Sequence, residues 1–240
     1  MKRTNGRSPL DMRPLSLIRG YLPYAEGSCL VDLGMTRVVT SASITDGVPP
    51  WLIGNGSGWI TAEYGMLPRA TQTRNRRPAT SAQQNGRTME IQRLIGRALR
   101  SVVNLNLVGE RTIYIDCDVI NADGGTRVAS IIGSAVALHD AFTKLTDTKK
   151  IRRHPMKELV AAVSTGILGG DVAVDLCYEE DSAADVDMNI VMTESGGLVE
   201  VQGTAEKDTF DRAMLDAMLD AAETSIAAII VSQKKALGLA

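Results

Sequence analysis

The sequence predicts an α+β fold in which an order of several strands followed by a long helix occurs twice. Two observations support this class. The strand-like runs are short and lie between hairpin signals, which favours antiparallel pairing over a doubly wound parallel sheet. Each run of strands is followed by a helix-length apolar segment. With 240 residues, of which 44% are hydrophobic and 22% charged, the chain can form one large domain or two small ones.

The first 65 residues are predicted to form strands and turns. Residues 28–33 and 36–44 read as strands and flank Gly34-Met35, a hairpin-like join. Residues 54–58 form a loop and not a dinucleotide fingerprint, because no βαβ unit surrounds them. Residues 68–86 contain Pro, Thr, Asn, Gln and Arg without periodicity, so we expect a long basic loop.

A helix is the next predicted element. Apolar residues recur at helical spacing over residues 89–103, and Arg93, Arg97 and Arg100 fall on the opposite face. Residues 111–119 then read as a strand, and residues 127–142 read as a helix that is apolar nearly all round and therefore buried.

The polar stretch 147–155 is the expected boundary between two halves, residues 1–150 and 151–240, of one domain. The second half predicts four strands and a long amphipathic helix. The strands cover residues 159–168, 172–177, 186–192 and 198–204, and the helix covers residues 208–233.

Charge is strongly segregated although the net charge is only −2. Residues 69–100 contain eight arginines and one acid, a balance of +7. Residues 171–223 contain fifteen acids and two bases, a balance of −13. The arginine-rich part indicates a polyanionic partner, because arginine favours bidentate contacts with phosphate, although a solvated loop is the alternative. The acidic part indicates a metal ion or simple solvation.

Residues 121–127, Asn-Ala-Asp-Gly-Gly-Thr-Arg, lead directly into the buried helix. We expect Thr126 to be its N-cap, with Gly124 and Gly125 leaving the backbone open to close approach. The free amides of a first helical turn bind anions. Arg127 on that turn opposes the helix dipole, which is reasonable if an anion lies there. Phosphate or a phosphodiester is the predicted anion, and an ordinary turn with a solvated arginine is the alternative.

Two acidic groups are candidates for metal binding or catalysis. Asp181, Asp185 and Asp187 are expected to converge if residues 179–187 form a loop entering a strand, with Asp185 and Asp187 on one face. A second set, Asp116 and Asp118, shares one strand face with Asp123 nearby. Mg²⁺ is held by one or two carboxylates together with substrate phosphates. Combined with the arginine sites, the acids indicate metal-assisted phosphoryl transfer.

Several function classes are excluded or disfavoured. No G-x-x-x-x-G-K-[ST] sequence occurs, and His139 and His154 belong to no recognisable triad. The three scattered cysteines predict neither a zinc site nor a disulfide framework and fit a reducing cytosol. The polar start and the absence of an uncharged apolar run of about 20 residues predict neither a signal peptide nor a membrane span. Inorganic phosphate, already an anion, would need positioning and charge neutralisation more than a protein base.

Seven motifs, in order along nearly the whole chain, resemble the ribonuclease PH family. They are GR at 6–7, AEGS at 25–28, GWITAEYGMLPR at 58–69, GRTMEIQRLIGR at 86–97, IDCDV at 115–119, ADGGTR at 122–127 and EDSAADVDMN at 180–189. The resemblance implies a ribosomal protein S5 domain 2-like α+β fold with duplicated strand-and-helix halves. It also implies a homohexamer, a trimer of dimers, in the cytoplasm.

The activity implied by the resemblance is phosphorolytic 3′→5′ exoribonuclease activity, a tRNA nucleotidyltransferase reaction. Inorganic phosphate attacks the 3′-terminal phosphodiester of tRNA precursors or other RNA 3′ ends and releases nucleoside diphosphates, with Mg²⁺ as cofactor. Carried over onto this sequence, the implied phosphate-binding residues are Arg87, Gly125, Thr126 and Arg127. The implied catalytic residues are Arg127, Asp181 and Asp187, the two acids also being the implied metal ligands. The implied RNA-binding residues are Arg69, Arg74, Arg77, Arg93 and Arg97.

Three other interpretations compete. Polynucleotide phosphorylase shares the core, but 240 residues hold one such core without its additional domains. A catalytically silent ring subunit is expected to lose Arg127 or the Asp181/Asp187 pair, which this chain keeps. A hydrolytic nuclease would use the acids without phosphate.

Overall fold

Two β-sheets and two long helices form the framework of the protein. The computed structural model describes residues 3–4, 6–77, 85–207 and 209–239. The described elements include both mixed and antiparallel sheets alongside helices, so the α+β prediction is confirmed. The division at residue 150 remains a prediction.

The first sheet has the strand order β1-β2-β3-β5-β4. Its strands are β1 (Leu15–Arg19), β2 (Gly27–Leu33), β3 (Thr36–Asp46), β4 (Trp59–Met66) and β5 (Arg111–Asn121). The predicted hairpin is confirmed, since β2 and β3 pair antiparallel from Leu33–Thr36 outward. Strand β4 runs parallel to β5, which brings the end of β4 and the end of β5 to one edge. The sequence did not predict β1, a five-residue strand that pairs with β2.

Three helices belong to this half: α1 (Gly86–Ser101), α2 (Leu105–Val108) and α3 (Thr126–Asp147). Helix α1 begins three residues before the predicted start, because the Asn85 side chain accepts a hydrogen bond from the Arg87 amide and caps it. The predicted basic loop 68–86 is described only up to residue 77 and from residue 85, and residues 78–84 lie outside the described part.

Helix α3 lies in the core. As predicted, apolar and small residues cover it nearly all round, and it contacts β2, β3 and the second sheet. Among the described residues it alone has the length and composition to cross a membrane, but 78% of the relevant window is buried inside the protein. A helix that is apolar all round and packed on both sides is a core element.

The second sheet has the order β7-β6-β8-β9, all antiparallel. Its strands are β6 (Val160–Leu168), β7 (Asp171–Val174), β8 (Val186–Thr193) and β9 (Leu198–Ala205). The predicted strand 172–177 is too long. Strand β7 ends at Val174 because Asp175 adopts a φ of 53° and its carboxylate binds the N-terminal segment.

The last two helices are α4 (Tyr178–Ala183) and α5 (Arg212–Leu237). The prediction that residues 179–187 form a loop is wrong, because Glu180 caps the Cys177 amide and is held in the interior by Arg3. Helix α5 begins later than predicted, where Asp211 accepts a hydrogen bond from the Met214 amide, and ends at Leu237 with Gly238 as its C-cap. It packs against β6 and β7.

Candidate phosphate and RNA site

A cavity of about 310 Å³ lies where the two halves meet. The six residues predicted for phosphate binding and catalysis all line it: Arg87, Gly125, Thr126, Arg127, Asp181 and Asp187. They come from the starts of α1 and α3 on one side and from α4 and β8 on the other. The fold therefore places two guanidinium groups, the start of a buried helix and two carboxylates around one space.

The start of α3 differs in one respect from the prediction. Gly125, not Thr126, is the N-cap residue, with φ 68° and ψ 20°. These left-handed angles suit glycine, and no side chain caps the first turn. The Thr126 hydroxyl instead forms a hydrogen bond with the Tyr64 hydroxyl, 2.8 Å away. Burial raises the pKa of Tyr64, so this phenol stays protonated at neutral pH. The Thr126 hydroxyl therefore does not accept a hydrogen bond from the first-turn amides, as a capping residue would.

Arg127 is held by two acceptors that the sequence did not indicate. Its Nη1 donates to Glu90 Oε1 at 3.2 Å and to Gln202 Oε1 at 2.9 Å. Glu90 lies on α1, and Gln202 lies on β9 of the other half. The Arg127 side chain is only 13% exposed. A guanidinium fixed by two partners is already oriented before an anion arrives, which lowers the entropy cost of binding.

Arg87 lies at the second position of α1, near the helix N-terminus. Its positive charge acts on the Asp187 carboxylate, whose pKa it lowers. The Asn85 side chain accepts a hydrogen bond from the Arg87 amide at 3.1 Å and fixes the backbone there. Arg87 and Arg127 therefore approach the cavity from two helix N-termini, both of which favour negative charge.

Asp181 and Asp187 form an interacting acidic pair. Burial is the main cause that raises the pKa of Asp187 to about 6, and the Asp181 carboxylate adds to it, whereas Arg127 and Arg87 oppose it. Asp187 Oδ1 has no hydrogen-bond partner among the described residues. A buried carboxylate oxygen without a partner is costly unless a proton or a ligand satisfies it.

The expectation that Asp185 joins this pair is wrong. Asp185 precedes β8, so the strand alternation that would place it beside Asp187 does not apply. Its carboxylate binds Lys207 Nζ at 2.8 Å and the Gly169 amide at 3.1 Å, outside the cavity.

Glu180, adjacent to Asp181, has a different task. Burial would raise its pKa, but the Arg3 guanidinium and the Cys177 amide overcome this effect and lower the pKa of Glu180 to about 2. Glu180 thereby anchors α4, the helix that carries Asp181.

The second acidic set lies elsewhere. Asp116 and Asp118 do share the outer face of the first sheet, where burial and the neighbouring Glu63 raise the pKa of Asp116. Neither residue lines the cavity. Asp123 lies close to the Arg13 guanidinium and accepts a hydrogen bond from the Tyr178 amide.

The residues present are compatible with Mg²⁺ but do not form a complete cage. In the described ranges no group of three His, Cys, Asp or Glu side chains is arranged to hold a metal ion. Mg²⁺ requires only one or two carboxylates when substrate phosphates and water supply the other oxygens. Asp181 and Asp187 meet that requirement, and the unpartnered Oδ1 of Asp187 is an available oxygen.

The predicted RNA-binding arginines lie outside the cavity lining and are exposed. Arg69, Arg74 and Arg77 belong to the segment after β4, and from this segment Thr71 and Asn75 reach the cavity. Arg93 and Arg97 are exposed on α1, and Arg97 forms an ion pair with Glu200 of β9.

Arg100 does not share this exposure. Its guanidinium lies 4.5 Å from the centre of the Trp59 ring and donates to the Ile60 carbonyl.

Sequence and structure comparisons agree with this architecture. Residues 11–144 match domain 1, and residues 158–225 match domain 2, of the 3′ exoribonuclease family. These matches confirm the α+β fold of the ribosomal protein S5 domain 2-like type that the motif resemblance implied.

Three solved structures have a similar fold. Rrp46 of rice (Oryza sativa) superposes with a TM-score of 0.79 at 19% identity, covering 98% of this chain and 100% of that chain. A chain of the Archaeoglobus fulgidus exosome with RNA bound to the active site gives 0.81 at 23% identity, covering 95% and 91%. A chain of an archaeal exosome core gives 0.77 at 22% identity, covering 98% and 91%. At these identities the similarity shows the fold alone.

Proposed function

The chain belongs to the 3′ exoribonuclease family, and from that premise we propose that it is a phosphorolytic 3′→5′ exoribonuclease. Inorganic phosphate is the proposed nucleophile and nucleoside diphosphates are the proposed products. The observation that carries this proposal is the convergence of Arg87, Arg127, Gly125, Asp181 and Asp187 on one cavity.

The proposed reaction exchanges one P–O bond for another. An oxygen of inorganic phosphate attacks the 3′-terminal phosphorus, the bond to the 3′-oxygen of the preceding nucleotide breaks, and that oxygen takes up a proton. Arg87, Arg127 and the amides at the start of α3 would hold the attacking phosphate and offset its charge. No activated serine, cysteine or histidine is required, because the nucleophile is already an anion.

The acidic pair would act at the leaving side. With a pKa of about 6 in the free protein, Asp187 is partly protonated near neutral pH and can supply the proton that the 3′-oxygen needs. If Asp181 and Asp187 hold Mg²⁺, both are ionised and the metal would neutralise charge on the phosphates; the 3′-oxygen would then take its proton from water.

Five exposed arginines are the proposed contacts for the incoming RNA. We propose that Arg69, Arg74 and Arg77, and further along the path Arg93 and Arg97, contact the RNA backbone. All five are exposed, and Arg69, Arg74 and Arg77 belong to the segment from which Thr71 and Asn75 line the cavity, which supports this assignment. Arginine clusters of this kind supply salt-dependent, sequence-independent affinity.

The finer points rest on the motif resemblance. We propose tRNA precursors as substrates, with rRNA and other RNA 3′ ends as further ones. A homohexamer built as a trimer of dimers and a cytoplasmic location belong to the same proposal.

Two alternatives predict different products. A silent ring subunit would bind RNA without shortening it, and a hydrolytic nuclease would release nucleoside monophosphates without phosphate. The first is disfavoured because Arg127 and both acids are present and directed at one cavity.

Assaying a short 3′-tailed RNA with and without phosphate tests the proposal. We expect shortening only with phosphate and expect nucleoside diphosphates as products. An Arg127→Ala protein purified in parallel controls for contaminating nucleases. Monophosphate products in phosphate-free buffer, or no shortening under any condition, would overturn the proposal.

A further inference from the structure

The loop that precedes α3 is clamped from behind by two buried residues. Thr36, which is fully buried, accepts a hydrogen bond from the Asp123 amide at 3.0 Å through its hydroxyl and donates to the Gly124 carbonyl at 2.6 Å. Arg13, 4% exposed, donates from Nη1 to the Asp123 carbonyl, and its Nη2 lies 3.5 Å from the Gly124 carbonyl. Arg13 therefore contacts both carbonyls of the loop, and Thr36 contacts the Gly124 carbonyl.

Peptide geometry then fixes the direction of the amides. In a planar trans peptide the N–H points opposite to the C=O. Since the Asp123 and Gly124 carbonyls face Arg13 and Thr36, the N–H groups of Gly124 and Gly125 face away from them. Both glycines have left-handed φ angles, 71° and 68°, and both line the cavity. Within the described residues neither amide has a backbone acceptor.

Arg13 also connects this loop to the acidic side of the cavity. Its Nε and Nη2 bind the fully buried Asp175 carboxylate at 3.0 and 2.6 Å. Asp175 lies between β7 and α4, and α4 carries Asp181. The Arg13 guanidinium thus links the loop at Gly124 to the segment that leads into α4, the helix that carries Asp181.

From these contacts we propose that Thr36 and Arg13 are positioning residues that aim the Gly124 and Gly125 amides at the attacking phosphate. This inference rests on the proposed function. Neither side chain touches the phosphate. They act by holding the two peptide planes, so that the amides form a preorganised anion-binding concavity.

Thr36 is the better residue for a test, because loss of Arg13 would break a buried ion pair with Asp175 and leave only Arg7 to pair with that carboxylate. Thr36→Val removes the hydroxyl but keeps the shape, and Thr36→Ser restores the hydroxyl. Thr40→Val is the matched control. Thr40 lies on the same strand, is also fully buried and donates its hydroxyl to the Cys29 carbonyl, away from the loop.

We expect Thr36→Val to raise the phosphate KM and the calorimetric phosphate Kd by about tenfold, the effect of about one lost hydrogen bond. Thr36→Ser should return both to within about twofold of the wild type. Thr40→Val should lower the melting temperature about as much as Thr36→Val does, but it should leave the phosphate KM and Kd unchanged. RNA affinity should stay the same in all three variants.

Hydrogen exchange of the wild-type protein provides a second test that needs no variant. Phosphate should slow exchange in peptides that cover residues 123–127. Absence of that protection, or wild-type phosphate constants in Thr36→Val, or an equal increase in Thr40→Val, would overturn the inference. If the wild type neither binds phosphate nor releases nucleoside diphosphates, the proposed function itself fails. If it does both and Thr36→Val matches it, only the positioning role fails.

Discussion

Replacing Asp187 by Asn should stabilise the protein while abolishing its activity. The native fold raises the pKa of Asp187 from 3.8 to about 6, mainly by burial and then by the Asp181 carboxylate. At neutral pH the native state therefore holds a carboxylate that it disfavours. Asn has nearly the same shape and no charge, so it removes this penalty together with the group proposed to act at the leaving oxygen.

The expected change in the free energy of unfolding follows from the linkage between protonation and folding. A rise from 3.8 to about 6 corresponds to at most about 3 kcal/mol. Because Asp187 is partly exposed and solvent screens its charge, we expect a gain of about 1 to 3 kcal/mol at about pH 8. A raised native pKa gives stability that is fully present below pH 3.8 and is lost as the pH rises through about 6. The gain from Asn should therefore fall to about a third of its size at about pH 4.5.

Urea denaturation at fixed protein concentration, with a chelator and without phosphate, measures this effect at both pH values. Asp185→Asn is the matched control. Its carboxylate binds Lys207, which lowers the pKa of Asp185, so this variant should gain no stability at either pH. If Asp187→Asn is less stable than the wild type at about pH 8, or gains equally at both pH values, the native fold does not raise the pKa of Asp187.

Three further predictions follow from the same geometry. Arg127→Ala should lower phosphorolysis by about a hundredfold or more while the protein stays folded, measured by initial rates and circular dichroism, and unfolding would make the residue structural. Arg74→Ala should weaken RNA binding, and the slope of log affinity against log salt should fall by about one, measured by fluorescence anisotropy, so an unchanged slope would exclude a phosphate contact. Gly124→Ala should destabilise the fold by about 2 kcal/mol or more, because φ is 71° and a Cβ would lie 2.5 Å from the Leu176 carbonyl. Gly20→Ala, with φ 63° and open space around it, should cost less in the same denaturation experiment, and equal costs would exclude the clash.

Local patterns were sufficient to predict most of the framework. The hairpin of β2 and β3 and the buried helix α3 each have a signal within their own sequence: two strand-like runs around the Gly34-Met35 turn, or apolar and small residues on nearly all sides. The sequence also placed Gly124 and Gly125 directly before the buried helix, where the structure has them, although the N-cap proved to be Gly125 and not Thr126. The anion site there stays a prediction.

Contacts between distant residues explain what the sequence did not predict. Helix α4 forms in an acidic stretch because Arg3, 177 positions away, holds Glu180. Arg127 is oriented by Gln202, 75 positions away, and nothing in the local sequence of either residue indicates this pairing. The separation of Asp185 from Asp187 depends on where β8 begins, and strand ends are set by hydrogen-bond partners rather than by local propensity.

We propose that inorganic phosphate, and not water, breaks the terminal phosphodiester of the RNA in the cavity shared by Arg87, Arg127 and the acidic pair. Labelling tests it most directly: unlabelled RNA with ³²P-labelled phosphate in ¹⁸O-enriched water. We expect ³²P in the terminal phosphate of the released nucleoside diphosphates and no ¹⁸O in the products. Nucleoside monophosphates that carry ¹⁸O and no ³²P would contradict it.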